Sequence, residues 1–200
     1  MKHCTFAQNR QKGFSLIELI IVVVILGILG VVAARVTSGS PDPANATAIR
    51  SAAQELAKGV GYLHANLGTG LSATANPLQA PGLSMLDVLM VGSEAVEEGY
   101  KDAFARTNMR PLEGSFRVLR RPNGSTSGQY AVLSYPVRFL ASCTGGRVCV
   151  QFDNVPTSTL RELTSRNGIA YTEGVALANG PFQYTTATNG FHEVTIEGVP

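Results

Sequence analysis

The side chains able to do chemistry are few, and one acid sits in surroundings that do not suit it. Residues 14–34 (FSLIELIIVVVILGILGVVAA) hold a single charge, Glu18, and a single hydroxyl, Ser15. A charge inside a membrane helix costs on the order of 2.5–3.5 kcal/mol on insertion scales, so it normally has an identifiable partner. No basic side chain lies within 14–34 to serve. A partner arises if the backbone is cut between Gly13 and Phe14. The new α-amino group then stands four residues from Glu18, opposite in charge and about one helical turn away. Such a pair performs no bond chemistry. If such helices pack together in an apolar bundle, the acid would act as a register device, because only the neighbour offset that meets an otherwise unpaired charge is favoured.

Two cysteines form the second candidate pair. Cys143-Thr-Gly-Gly-Arg-Val-Cys149 reads as a tight hairpin, and centring it on Gly146 places Cys143 opposite Cys149, in the geometry of a cross-strand disulfide. Alternation raises one conflict. Val148, Val150 and Phe152 face opposite to Cys149, whereas Cys143 shares the apolar face of its own strand, so a bulge or a different register is needed. Closing so short a loop contributes only ~2 kcal/mol through chain entropy.

The remaining candidates assemble into nothing catalytic. His64 and His192 are isolated, Glu94, Glu97 and Glu98 read as a solvated helix face rather than a cation site, and Gly124-Ser-Thr-Ser-Gly128 has threonine where a nucleophile would stand. No Walker-type phosphate loop occurs, and the cysteines lack zinc spacing. No enzyme activity, cofactor or metal is expected.

The elements that must position these groups divide at the N-terminus. Residues 1–13 carry Lys2, Arg10 and Lys12 with no acid, ahead of the 21-residue apolar run. As a helix that run spans ~32 Å at about 1.5 Å per residue, enough to cross a hydrocarbon core, and the basic flank keeps the N-terminus cytoplasmic. Export of the remainder makes the environment oxidising, which suits the cysteine pair. A cleavable signal peptide ending at Val32-Ala33-Ala34 would have a shorter apolar stretch. A plain anchor fits the length and leaves Glu18 unexplained.

Residues 12–19, Lys-Gly-Phe-Ser-Leu-Ile-Glu-Leu, resemble the cleavage and methylation signature of type IV prepilins and type II secretion pseudopilins. The resemblance covers residues 1–35. It implies a leader (1–13), a transmembrane and filament-core helix (14–35) and an exported pilin-like globular domain (36–200). It further implies that a prepilin peptidase cuts after Gly13 and methylates Phe14, and that Glu18 neutralises the N-terminus of a neighbouring subunit. Self or other pilin-like subunits, an inner-membrane platform protein and an assembly ATPase are the implied partners. The subunit would start as a single-pass inner-membrane protein with its C-terminus exported, then enter a pilus or pseudopilus. The family's helix-kinking proline near Arg35 is absent, while Pro41 and Pro43 come later.

The leader carries three of the 16 basic residues and none of the 14 acids, so the remainder has a net charge of −1 and no nucleic-acid partner is expected. Within it, Asp42 reads as an N-cap, with Ile49, Ala52, Leu56, Val60, Leu63 and Leu67 at helical spacing and Gly68 as the stop. Residues 68–83 read as a loop. Ser84 caps a second helix through about Phe104, and Thr159-x-x-Glu162 resembles a capping box for a short helix ending at Asn167-Gly168. Strands are expected over 115–120, 129–142, 148–154, 181–187 and 190–197, the last two turning at Asn189-Gly190. The expected class is α+β, a helical spine followed by an antiparallel sheet of four or five strands.

Overall fold

The computed structural model describes residues 41–69, 76–140 and 147–198. The chain divides into units 1–40 and 41–200, and the fold below is that of the second. The expected apolar spine over 14–34, with Gly13, Phe14 and Glu18, lies outside the described residues, as does Cys143. Among the described residues no helix is long and apolar enough to cross a membrane.

Helix α1 (Asp42–Leu67) begins where two prolines permit it, since Pro43 falls in the first turn, which needs no amide donor. Ala46, Ile49, Ala53, Leu56, Val60 and Leu63 recur at helical spacing and are all fully buried. Gly68, in the left-handed region at φ 64°, ends the helix. The N-cap is Pro41 rather than the expected Asp42. The Asp42 carboxylate instead accepts from Ser158 Oγ (2.9 Å) and Thr159 Oγ1 (2.7 Å).

The sheet has six antiparallel strands, β1 (Arg117–Arg120), β2 (Gln129–Val132), β3 (Tyr135–Leu140), β4 (Val148–Pro156), β5 (Phe182–Tyr184) and β6 (Phe191–Gly198), in the order β1-β2-β3-β4-β6-β5. Helix α1 lies against β2, β4 and β6, where Val148, Val150, Phe152 and Val194 are fully buried. The approach is close. A Cβ on Gly198 would overlap the Ala57 methyl, so glycine is required there for α1 to seat on β6.

Four further expectations are corrected. The run 129–142 is two strands, because Leu133 takes φ 55° and reverses the chain between Val132 and Tyr135. This raises the strand number to six. The helix from Ser84 ends early: α2 (Met85–Val91) stops at Gly92 (φ 74°), and short 3₁₀ turns at Gly92–Ala95 and Glu98–Tyr100 precede α3 (Lys101–Arg106). Thr159 caps nothing. Helix α4 (Thr157–Arg166) starts after Pro156, which places Thr159 inside it, while Glu162 pairs with Arg166 (2.7 Å). Finally, β3 and β4 pair with Leu140 opposite Cys149, so the position directly across from Cys149 belongs to Leu140 and not to Cys143.

Candidate functional site

The most elaborate polar site is built around an acid that none of the expected site residues includes. Helix α2 reads Met-Leu-Asp-Val-Leu-Met-Val, and all seven residues are buried, Asp87 completely. A carboxylate in such a place must be saturated with donors. Ser84 supplies the first set, its amide (2.9 Å) and hydroxyl (2.7 Å) donating to Oδ2. The return bond of this capping box runs from the Asp87 amide to Ser84 Oγ (3.3 Å). The β1–β2 connection and the start of β2 supply the rest. Ser127 Oγ donates to Oδ2, while the Gly128 amide (2.8 Å) and the Tyr130 hydroxyl (2.7 Å) donate to Oδ1.

Burial pushes the Asp87 carboxyl upward, but the Ser127, Tyr130 and Ser84 hydroxyls and the Ser84 amide together outweigh it and hold it below its ordinary value of 3.8. Burial likewise raises the Tyr130 hydroxyl, and donation to Asp87 with the nearby negative charge raises it further. At neutral pH the pair is therefore carboxylate and phenol. With both oxygens occupied, Asp87 is poorly placed to act as a base, and it fastens α2 to residues 127–130. Gly128 is needed because a Cβ there would press on the Tyr130 hydroxyl and the Arg120 carbonyl.

Beside this node lies a groove of about 490 Å³ lined by Leu83, Leu86, Leu119, Pro136 and Phe139, with Arg138 and Asp153 among its polar residues. Arg138 reaches Asp153 (3.3 Å) and Glu193 (3.6 Å), and Gln151 donates to Asp153 (2.8 Å). Leu119 is 48% exposed, an unusual position for a large aliphatic side chain.

The two histidines are far apart in role. His64 is half-buried on α1, with Nδ1 buried and unpartnered. His192 is buried, and its Nδ1 faces the Thr185 carbonyl (2.7 Å), so that nitrogen carries the proton, while Nε2 meets Thr157 Oγ1 (3.0 Å). Among the described residues no three His, Cys, Asp or Glu side chains converge as a metal set. Glu94, Glu97 and Glu98 do not share one helix, since the extended Val96 separates the turn that holds Glu94 from the one that begins at Glu98, and Glu98 is held by Lys101 (2.6 Å). Cys149 is buried on β4.

Sequence reasoning found Ser84 as a cap and missed Asp87, although Ser-x-x-Asp is itself a capping-box spacing. Its other donors stand 40 to 43 residues further along the chain, beyond any local pattern.

The described part is thus an α+β unit, a helix laid on an antiparallel sheet, whose largest polar cluster fastens segments together. The chain as a whole carries the prokaryotic N-terminal methylation motif across residues 8–34, the signature of type IV pilins and pseudopilins. Neither a curated protein nor a solved structure matches it.

Proposed function

We propose that the protein is a structural subunit of a type IV pilus or a type II secretion pseudopilus. In this reading a prepilin peptidase cleaves between Gly13 and Phe14 and methylates the Phe14 amine. Residues 14–34 then hold the subunit in the inner membrane until it polymerises through that helix. Glu18 meets the Phe14 terminus of a neighbouring subunit, and a platform membrane protein and a cytoplasmic ATPase supply docking and energy. The observation that carries the reading is the methylation motif at 8–34, with its lone acid four residues beyond the cut. The donor-saturated Asp87 supports a scaffolding role for the globular unit. A Cys143–Cys149 disulfide belongs to the same proposal, as a bond from the β3–β4 connection to Cys149 at the start of β4 rather than directly across the ladder.

Mass measurement of the native N-terminus tests it. The expected chain starts at Phe14 with one added methyl, whereas a chain retaining residues 1–13, or trimmed near Ala34, contradicts the reading. The groove beside Leu119 favours a second reading, a minor tip subunit that engages a surface, DNA or a secreted cargo. Stoichiometry in sheared filaments separates the two, since a tip subunit is present only in trace.

A further inference from the structure

The charged side chains of the globular unit sort themselves by whether they find a partner. Lys101, Arg121, Arg138, Arg147, Arg161 and Arg166 each meet a carboxylate. Among the described residues Arg50, Lys58, Arg106, Arg110, Arg117 and Arg120 make no ion pair, and all six are exposed; Arg120 donates instead to the Ser127 carbonyl (3.0 Å).

Two hydrogen bonds bring the segment that carries Arg106, Arg110 and Arg117 beside the helix that carries Lys58. The Tyr62 hydroxyl donates to the Thr107 carbonyl (2.7 Å), and Ser115 Oγ donates to Glu55 Oε1 (3.2 Å). Glu55, Lys58 and Tyr62 follow at i, i+3 and i+7, one face of α1 over two turns. The segment 107–115 therefore runs beside that face, in the direction opposite to the helix. Met109 confirms the closeness, its Cε lying 3.5 Å from where a Cβ on Gly59 would be. Arg106 and Arg117 flank the two ends of the segment and Arg110 sits within it, while Lys58 adds a charge at the edge of the strip, where it also lines a groove with Arg50 and Glu197. Tyr62, 45% exposed, supplies the apolar component. Tyrosine and arginine together are the composition of an interface centre rather than of ordinary solvated surface.

The stretch just before it has the opposite surplus. Glu94, Glu97 and Asp102 make no ion pair among the described residues, and Glu94 and Asp102 are exposed. Two unmatched sets of opposite sign on one chain are what a head-to-tail contact between identical copies uses. A polyanion on the cationic strip would leave the acidic set without a role.

We propose that the Lys58–Tyr62–Arg110–Arg117 strip docks the 94–102 acidic surface of a second copy of this chain. The inference rests on the filament reading and adds to it a contact outside the apolar helix.

The test uses filaments sheared from cells making the full chain. Arg110→Glu with Arg117→Glu, and separately Glu94→Arg with Glu97→Arg, should each lower filament yield about tenfold or more, because like charges then face each other. Combining all four reversals in one chain restores complementarity and should bring the yield back to within about threefold of wild type. The proposal is overturned if either double variant assembles like wild type. It is equally overturned if the combined variant stays low while unfolding at the wild-type temperature. Loss of heparin retention by the Arg110→Glu, Arg117→Glu chain with unchanged filament yield would also overturn it, in favour of a polyanion. Glu18→Ala separates the two levels. If wild type forms no filaments, or if Glu18→Ala assembles normally, the filament reading falls and takes this contact with it. If only the charge reversals are silent, this contact alone falls.

Discussion

Glu18 and Asp87 stand in closely similar local sequences and, on the proposed reading, are satisfied in opposite ways. Each is the only acid of an apolar stretch, and each follows a serine by three residues, in Ser15-Leu-Ile-Glu18 and Ser84-Met-Leu-Asp87. Around Asp87 the fold completes the pattern from inside, with donors from Ser84, Ser127, Gly128 and Tyr130. Within 14–34 the sequence offers Glu18 no cation at all, so on the proposed reading the partner comes from another subunit. A short sequence pattern thus specifies that an acid must be satisfied and leaves open whether the satisfaction is a folding event or an assembly event.

The largest effect should follow from breaking the external half of this comparison. On the proposed reading Glu18→Ala removes one partner of a buried pair and leaves the Phe14 amine uncompensated, at a cost of about 3–5 kcal/mol per contact. Filament yield should fall by roughly two to three orders of magnitude, while denaturant unfolding of the globular unit stays at the wild-type midpoint. A loss of unfolding stability in this variant would show that Glu18 serves the fold, and the contrast with Asp87 would disappear.

The internal half breaks next. Asp87→Ala strands donors from Ser84, Ser127, Gly128 and Tyr130, and should destabilise the unit by about 3 kcal/mol, read from urea unfolding. Since the folded carboxyl lies below 3.8, its contribution to stability is fully present above the unfolded value and is lost as pH falls through the folded one. Wild type should therefore lose part of its stability below about pH 4. Asp87→Asn should flatten that acid limb, and an unaltered limb would mean that Asp87 is not the group responsible.

How much of this was legible follows from the range of the interactions. Helix α1 announced itself through the spacing from Ile49 to Leu63 and through Gly68, all local signals. The β5–β6 turn did so through Asn189-Gly190, whose φ values of 53° and 81° are those such residues tolerate. The β2–β3 turn gave no sign, because Leu133-Ser134 has none of the usual turn chemistry. Thr159 misled for the same reason in reverse. Its capping-box spacing is genuine as a pattern, yet its hydroxyl is taken by Asp42, 117 residues earlier. The cluster around Asp87 was half legible, since Ser84 is local and Tyr130 is not.

A smaller effect sharpens the claim that the globular unit is sustained from within. Gly198→Ala drives a methyl into Ala57 where α1 crosses β6, and overpacking of this kind costs about 1–3 kcal/mol. Thermal unfolding should register the loss in full in the unassembled subunit. If the loss appears only in filaments, then the α1–β6 contact depends on neighbours and the internal side of the comparison is weaker than drawn.

The smallest effect tests a side chain that lies between the two categories. Leu133 holds φ 55° and is 50% exposed, so it combines backbone strain with little visible packing inside its own chain. Leu133→Gly removes a strain of about 1–2 kcal/mol and gives back part of it as greater freedom of the unfolded chain. The expected net result is a gain of no more than about 1 kcal/mol in unfolding free energy, with filament yield unchanged. Destabilisation instead would place Leu133 in the fold's own core. A gain in stability accompanied by a fall in filament yield would be more telling, because a strained and exposed leucine would then be retained for what covers it in the assembled state, as Glu18 is on the proposed reading.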